Sequence, residues 1–303
     1  MAHGGVFDTI TRDTFQNIQI LLPSLKEQAA IAKFLGALDD SIHLLQETNV
    51  TLEAIAQALF KSWFVDFDPV RAKQEGRQPE GMDAETAALF PDSFEQSELG
   101  EIPKGWAVST LGNFTKTCNK KKASEELHSE LKYVGLEHIP KKSLSLTQWD
   151  DASGLESSKT IFNAGDILFG KLRPYFHKVA IAPFDGVCST DILVCQPVKS
   201  LDKGIVTMHL FSKEIINYAE RLSNGAKMPR INWNDLAAFR IVASTEDISE
   251  KFSVVISPLI EQIVCNVHSS KTLSSLRDTL LPRLISGQLR LPEVDSLLEE
   301  SVL

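Results

Sequence analysis

The chain has 303 residues, room for about two domains at the usual allowance of about 150 each, with 43% hydrophobic residues and a net charge of −9. It has no apolar run near the roughly 18 residues of a membrane span, no signal-peptide pattern at its start, and four cysteines (Cys118, Cys188, Cys195, Cys265) without CxxC pairing. A disulfide scaffold and a membrane partner are therefore excluded as expectations, and a cytoplasmic protein with reduced thiols is expected. The acidic balance argues against nucleic acid only until it is mapped. Residues 103–242 carry 19 Lys and Arg against 14 Asp and Glu, while the remainder carries 12 against 26. The middle of the chain is mildly basic, which points weakly to a polyanionic ligand.

In chain order, residues 1–22 precede a long helical pattern over 23–68. Ser24 is an expected N-cap, with Glu27 three residues on completing a capping box. Apolar residues at Ile31, Leu35, Leu38, Ile42, Leu45, Leu52, Ala56 and Leu59, with Asn49 in the remaining place, are spaced alternately by four and three. That period of 3.5 predicts a helix packed lengthwise on another helix, stopped by Pro69. Residues 69–102 are rich in Pro, Gly and acidic residues and read as a linker with one short helix around Ala84–Phe90.

From 103 to 244 the pattern changes to short segments of β character: Trp106–Leu111, Leu131–Leu136, Asp166–Phe169, Lys178–Ala182 and Thr190–Pro197. A helical stretch, Lys203–Leu222, and a last strand, Phe239–Val242, complete an α/β domain. A second helix over 245–288 repeats the seam with Phe252, Ile256, Leu259, Ile263, Asn266, Ser270, Leu273, Arg277 and Leu280, and Pro282 marks its stop. Residues 289–303 form an acidic tail. Asn49, Asn266 and Ser270 interrupt the stripe as polar residues that fix register at some cost in stability. The fold class is α+β.

The chain repeats itself at an offset of 221 residues. Gly4, Ile10 and Ile20 fall on Gly225, Ile231 and Ile241, and Leu38, Ile42, Thr51, Leu52 and Leu59 fall on Leu259, Ile263, Thr272, Leu273 and Leu280. A fixed-period repeat defines architecture before any motif is read. Here the repeated unit is the tail of a globular domain followed by a long helix.

Phosphate-loop, dinucleotide-binding and closely spaced metal-ligand patterns are missing, as is the methyltransferase motif of Asp or Asn, two prolines and an aromatic. A scattered nuclease-like set (Pro91, Asp92, Glu130, Lys132) could hold Mg²⁺, although Pro91 and Asp92 lie in the expected linker. The more informative cluster is a strand ending at Gly170 and a loop carrying Lys171, Arg173, Tyr175, His177 and Lys178. Cations with an aromatic residue on a proline-shaped loop suit phosphate and base-edge contacts. A second loop, Ser223–Asn232, adds Lys227, Arg230 and Asn232, and Lys120, Lys121 and Lys122 form a third patch. The helices, with the aromatic end Phe60, Trp63 and Phe64, are candidates for partner docking or for core packing.

The stretches LPSLKEQAAIAKFLGALDDSI, NVTLEAIAQALFKSWFVDFDPVRAK, ELGEIPKGW, GDILFGKLRPYFHKVA and LRDTLLPRLISGQL closely resemble the specificity subunits of type I restriction-modification systems. The resemblance implies a non-catalytic DNA reader with two target recognition domains separated by two conserved helices. The methylase subunits, with their S-adenosylmethionine, and the restriction subunits would be partners, and no cofactor is expected on this chain. Residues 1–22 match only the closing part of a first recognition domain, so the chain resembles a half-size form with one recognition domain. Its two long helices would pair as an antiparallel coiled coil, and two copies would form a homodimer reading a bipartite inverted repeat of double-stranded DNA. The rival expectation is a truncated interaction protein that holds methylase without reading DNA.

Overall fold

Helix α1 (Leu25–Phe64) starts where its capping box places it. The Ser24 backbone N–H donates to Glu27 Oε2 at 2.9 Å, and the Glu27 N–H donates to Ser24 Oγ at 3.3 Å, satisfying two donors that a helix start leaves unpaired. The computed structural model describes residues 16, 22–223 and 228–291. After α1 come α2 (Asp68–Gln74), α3 (Ala84–Leu89), β1 (Phe94–Ser97), β2 (Gly100–Pro103), β3 (Ala107–Thr110), α4 (Leu111–Phe114), β4 (Thr115–Thr117), β5 (Lys121–Lys122) and β6 (Lys132–Val134). Then follow β7 (Asp150–Asp151), β8 (Lys159–Phe162), β9 (Ile167–Gly170), β10 (Val179–Ile181), β11 (Gly186–Cys188) and β12 (Ile192–Pro197). Helices α5 (Lys203–Leu210), α6 (Lys213–Leu222) and α7 (Trp233–Ala237), strand β13 (Arg240–Ala243) and helix α8 (Glu246–Ile285) complete the order. The chain divides into two units, residues 1–44 with 270–303, and residues 45–269.

In the first unit, parts of α1 and α8 form a two-helix seam. Ile31 and Leu35 cluster with Leu280, Leu284 and Leu289, and Arg277 Nη1 bonds Asp39 Oδ1 at 2.6 Å. The expected stop at Pro282 is overturned, because α8 runs on to Ile285. A proline costs a helix one N–H bond, but the Pro282 carbonyl still accepts from Ser286 N at 3.0 Å. The chain turns out at Gly287, with φ 72°, the backbone region glycine enters without a Cβ penalty. The expected remnant 1–22 lies outside the described residues except for Gln16 and Leu22, and the tail lies outside them from 292 onward.

In the second unit, Asn266 Nδ2 donates to Asn49 Oδ1 at 2.8 Å, and Asn49 Nδ2 donates to the Ile263 carbonyl at 3.2 Å. Further along α1, Phe60, Trp63 and Phe64 lie against Phe252, with Phe64 edge-on at 4.8 Å. Rising numbers on α1 meet falling numbers on α8, so the two helices run antiparallel. Each expected seam residue is buried or half-buried: Ile31, Leu35, Leu38, Ile42, Leu45, Asn49, Leu52 and Leu59 on α1, and Phe252, Ile256, Leu259, Ile263, Asn266, Leu273 and Leu280 on α8. By length and composition α8 could cross a membrane. Its Phe252, Ile256, Ile260 and Ile263 are instead buried, as in the core helix of a folded domain.

The aromatic end of α1 is core, which removes Phe60, Trp63 and Phe64 as a docking surface. Trp63 meets Phe90 edge-on at 5.1 Å, and Phe64 and Phe67 lie 5.8 and 5.7 Å from Trp106. Residues 69–102 are therefore not a linker. Val70, Phe90 and Ile102 are buried, Pro69 opens a new helix instead of only ending one, and β1 and β2 pair as a hairpin.

Two sheets make the body of this unit, in the orders β10-β9-β12-β4 and β5-β8-β11-β6-β7; among the described strands only β11 and β6 pair in parallel, while β13 pairs with β3. Successive side chains of a strand face opposite sides, and β9 uses both. Ile167 and Phe169 join the cluster that holds α1 and α8, while Leu168 joins a second cluster with Val134, Phe162, Ala180 and Val194. Expected strands fall within one or two residues of those observed. The single helix expected over Lys203–Leu222 is two, because Ser212 Oγ accepts from Ile215 N at 3.3 Å and starts α6 as an N-cap.

Candidate nucleic-acid interface

The two basic loops, about fifty residues apart in sequence, are bonded together through their backbones. Arg173 N donates to the Pro229 carbonyl at 2.7 Å, Ile231 N donates to the Lys171 carbonyl at 3.1 Å, and Lys171 N donates to the Asp191 carbonyl at 2.9 Å. Leu172 and Arg230 form an isolated antiparallel bridge. Gly170 allows the hairpin of β9 and β10 to close beneath, since a Cβ there would sit 2.8 Å from Leu136 Cδ1 and 3.1 Å from Lys178 Cβ.

The first loop is rigid for a local reason. Arg173 and His177 both adopt left-handed backbone angles (φ 51° and 50°) on either side of a 3-10 turn, Pro174–Phe176. Two non-glycine residues in that region cost free energy that surrounding structure must offset. Arg173 and Tyr175 are exposed and Lys171 is half-buried, and the Tyr175 ring leans on Phe176 at 4.7 Å. Arg230 is exposed, but its Nε lies 3.0 Å from Asp191 Oδ1, so this carboxylate orients the guanidinium and partly neutralises it.

Two expected contact residues face inward instead. His177 is buried, with Nε2 donating to the Phe211 carbonyl at 3.0 Å and its ring 5.0 Å from the Phe211 ring. Burial holds its pKa below the usual imidazole value, with Lys142 and Lys213 pushing the same way and the Phe211 bond opposing. The neutral ring is a strut under the loop. Lys178 is half-buried and donates from Nζ to the Leu136 carbonyl at 2.6 Å, and burial lowers its pKa. The sequence pattern could not separate these from outward cations, because the two left-handed residues reset which way each side chain points.

Asn232 is exposed and caps α7, its Oδ1 accepting from Asp235 N at 2.9 Å. Lys227 lies outside the described residues. Lys120 precedes β5, while Lys121 and Lys122 form it, at the edge of the five-stranded sheet. Lysines on an edge strand discourage pairing with other chains, and nothing further marks them as ligand contacts. Two cations went unnoticed in the sequence. Lys141 Nζ lies 4.4 Å over the Phe176 ring, and Lys142 N donates to the His177 carbonyl at 2.8 Å. Their only sequence signal was a Lys-Lys pair after Pro140.

Among the described residues, no three His, Cys, Asp or Glu side chains are grouped as a metal site requires. Asp92 and Glu130 are exposed, and Lys132 Nζ sits 4.3 Å over the Phe184 ring. The nuclease-like set thus gathers no metal cluster. The cysteines are free, and burial pushes the Cys188 thiol up to about 12, far from a reactive thiolate.

A family model for the type I restriction modification DNA specificity domain matches residues 2–54. The chain is 28% identical to the type I restriction enzyme MjaIX specificity subunit of Methanocaldococcus jannaschii, over 96% of this chain and 65% of the relative. It is 26% identical to the HindI specificity subunit of Haemophilus influenzae, over 95% and 72% respectively. Its fold matches the crystal structure of the type I restriction-modification S subunit from M. genitalium, with a TM-score of 0.52, 16% identity and 94% of this chain covered against 67% of that one. The chain thus spans somewhat less than two thirds of the M. jannaschii relative's length. The chain is thus similar over nearly its whole length to type I restriction-modification specificity subunits, and it shares the fold of one of them.

Proposed function

We propose that this chain is a non-catalytic, cytoplasmic reader of double-stranded DNA that directs methylase and restriction subunits to a target. The observation that carries this reading is the bonded pair of loops, which holds Lys171, Arg173, Tyr175 and Arg230 on one preformed surface. Arginine can pair with guanine edges or with phosphate, lysine supplies point charge to phosphate, and an exposed tyrosine can pack on sugar or base. The surface is offered by a domain whose local charge is positive within an acidic chain, an arrangement that favours one docking face over general adhesion.

The finer reading is that two copies act together. The sequence holds two copies of the long helix for one α/β body, and the two helices run antiparallel. A second copy related by a two-fold axis would then present a second recognition surface and select an inverted repeat with a fixed spacer. The test combines the full chain with its methylase and follows a DNA duplex by mobility shift while salt is varied. Binding that falls steeply with salt and is lost in Arg173→Ala supports the reading; salt-insensitive binding, or none, overturns it. A strict monomer by sizing at micromolar concentration with methylase present would remove the two-copy part alone.

A further inference from the structure

We propose that the Lys141–Lys142 turn is a further phosphate-contacting element of this surface, and that Glu53 on α1 is the residue that positions it. The inference rests on the DNA-reading function just proposed and extends it to residues outside the two loops.

Glu53 is a buried carboxylate, 4% exposed. Removing a charge from water is costly unless hydrogen bonds replace the lost hydration. Here they come from a single turn: Ser143 Oγ donates at 2.8 Å, Leu144 N at 2.9 Å and Ser145 Oγ at 3.0 Å, all to Oε1. Asn49, one helical turn earlier, donates from Nδ2 to Ser145 Oγ at 3.1 Å. Burial raises the Glu53 pKa and these donors oppose the rise, with no cation among its causes. The residue is thus tied to residues 143–145, through two serine hydroxyls and one backbone N–H, and not to a counter-charge, so its anchoring power is directed at this turn.

The next two residues upstream are Lys141 and Lys142, both exposed. Lys142 stands at φ 55° with its N–H on the His177 carbonyl at 2.8 Å, and Lys141 Nζ is held over Phe176 at 4.4 Å. The Lys142 charge reaches His177, being one of the causes that lower its pKa. The turn is therefore bonded on one side to the buried carboxylate and on the other to the rigid loop that offers Arg173 and Tyr175. Downstream, Ile181 N donates to the Leu144 carbonyl at 3.0 Å, and Ser145 bridges Ile181, so β10 fixes the register. A purely structural role for Glu53 would need the serines but not the lysines, which are solvent-facing cations beside the candidate interface.

The experiment measures binding of the full chain, combined with its methylase, to a fluorescein-labelled duplex of random sequence across a salt series. The comparison is among wild type, Lys141→Ala/Lys142→Ala, Glu53→Gln, the triple variant and Arg173→Ala. The lysine pair is exposed, so its replacement should leave thermal unfolding unchanged. Each phosphate contact contributes about 0.9 to the slope of log K against log salt, so the double variant should lose about 2 from that slope. Glu53→Gln should weaken binding in the wild-type background and have no further effect once both lysines are gone. An unchanged slope in the double variant, with Arg173→Ala still weakening binding, overturns this inference and leaves the DNA-reading function standing. An equal loss from Glu53→Gln in both backgrounds overturns the positioning role, and a wild-type chain that fails to bind overturns the DNA-reading function as well.

Discussion

The same two helices are joined in two different ways. In the unit of residues 1–44 and 270–303, the joint is a stripe of Ile31, Leu35, Leu280 and Leu284 with a surface ion pair between Arg277 and Asp39. In the unit of residues 45–269, the joint has a buried amide pair, Asn49 with Asn266, followed by the rings of Phe60, Trp63, Phe64 and Phe252. An apolar stripe tolerates sliding by a heptad, because one leucine substitutes for the next. An amide pair does not, since a shift leaves two buried amides unsatisfied. The difference places register control beside the α/β body and leaves the other stretch to supply adhesion.

That comparison can be broken in graded steps. Phe252→Ala removes the ring at the centre of the aromatic joint, fully buried against three rings of α1, and should cost about 3–5 kcal/mol in denaturant unfolding. Asn266→Ala leaves Asn49 Oδ1 without its donor and should cost about 1–3 kcal/mol. A loss as large as that of Phe252→Ala would mean that the amide pair holds the joint together and does more than set its register.

A pH effect should follow from His209 on α5. Its ring is buried edge-on to Phe60 at 4.8 Å, Nε2 has no hydrogen-bond partner among the described residues, and burial depresses its pKa to about 3. The unfolded chain takes up a proton near the ordinary imidazole pKa of about 6.5 while the folded chain does not. The stability associated with neutral His209 is fully present above pH 6.5 and is lost as pH falls from there toward 3. His209→Leu should flatten that decline in the unfolding midpoint; an unchanged slope would remove the assignment. The smallest expected effect is Arg277→Ala, whose partner Asp39 is largely exposed. Exposed ion pairs contribute little, so the melting temperature should not move measurably.

The helices were legible because their information is periodic and local. A 3.5-residue stripe marked both long helices, its residues being buried or half-buried, and Ser24 with Glu27 marked the first N-terminus. Residues 69–102 misled because the segment is rich in Pro, Gly and acidic residues, while Phe90 is buried against Trp63 and Trp106, rings well outside its own short helix. The candidate interface was half legible. The cations of both loops could be named, but the bonds from Arg173 to Pro229 and from Ile231 to Lys171 join residues far apart in sequence. The inward turn of His177 depends on a backbone angle that composition does not encode. Lys141 and Lys142 were missed because their meaning comes from Glu53, nearly ninety residues earlier.

The left-handed pair at Arg173 and His177 has a thermodynamic consequence for association. A loop that must order on contact spends about 1–2 kcal/mol of backbone entropy per residue at the moment of binding. This loop is locked during folding by its own angles, by Pro174 and by the neighbouring turn. Calorimetry of duplex binding should therefore show little of the large opposing enthalpy and entropy that accompany coupled folding. Replacing Arg173 by glycine would relax the backbone and remove a cation together, whereas a lysine there would keep the charge while preserving the constraint, so the two variants separate the shape of the loop from its chemistry.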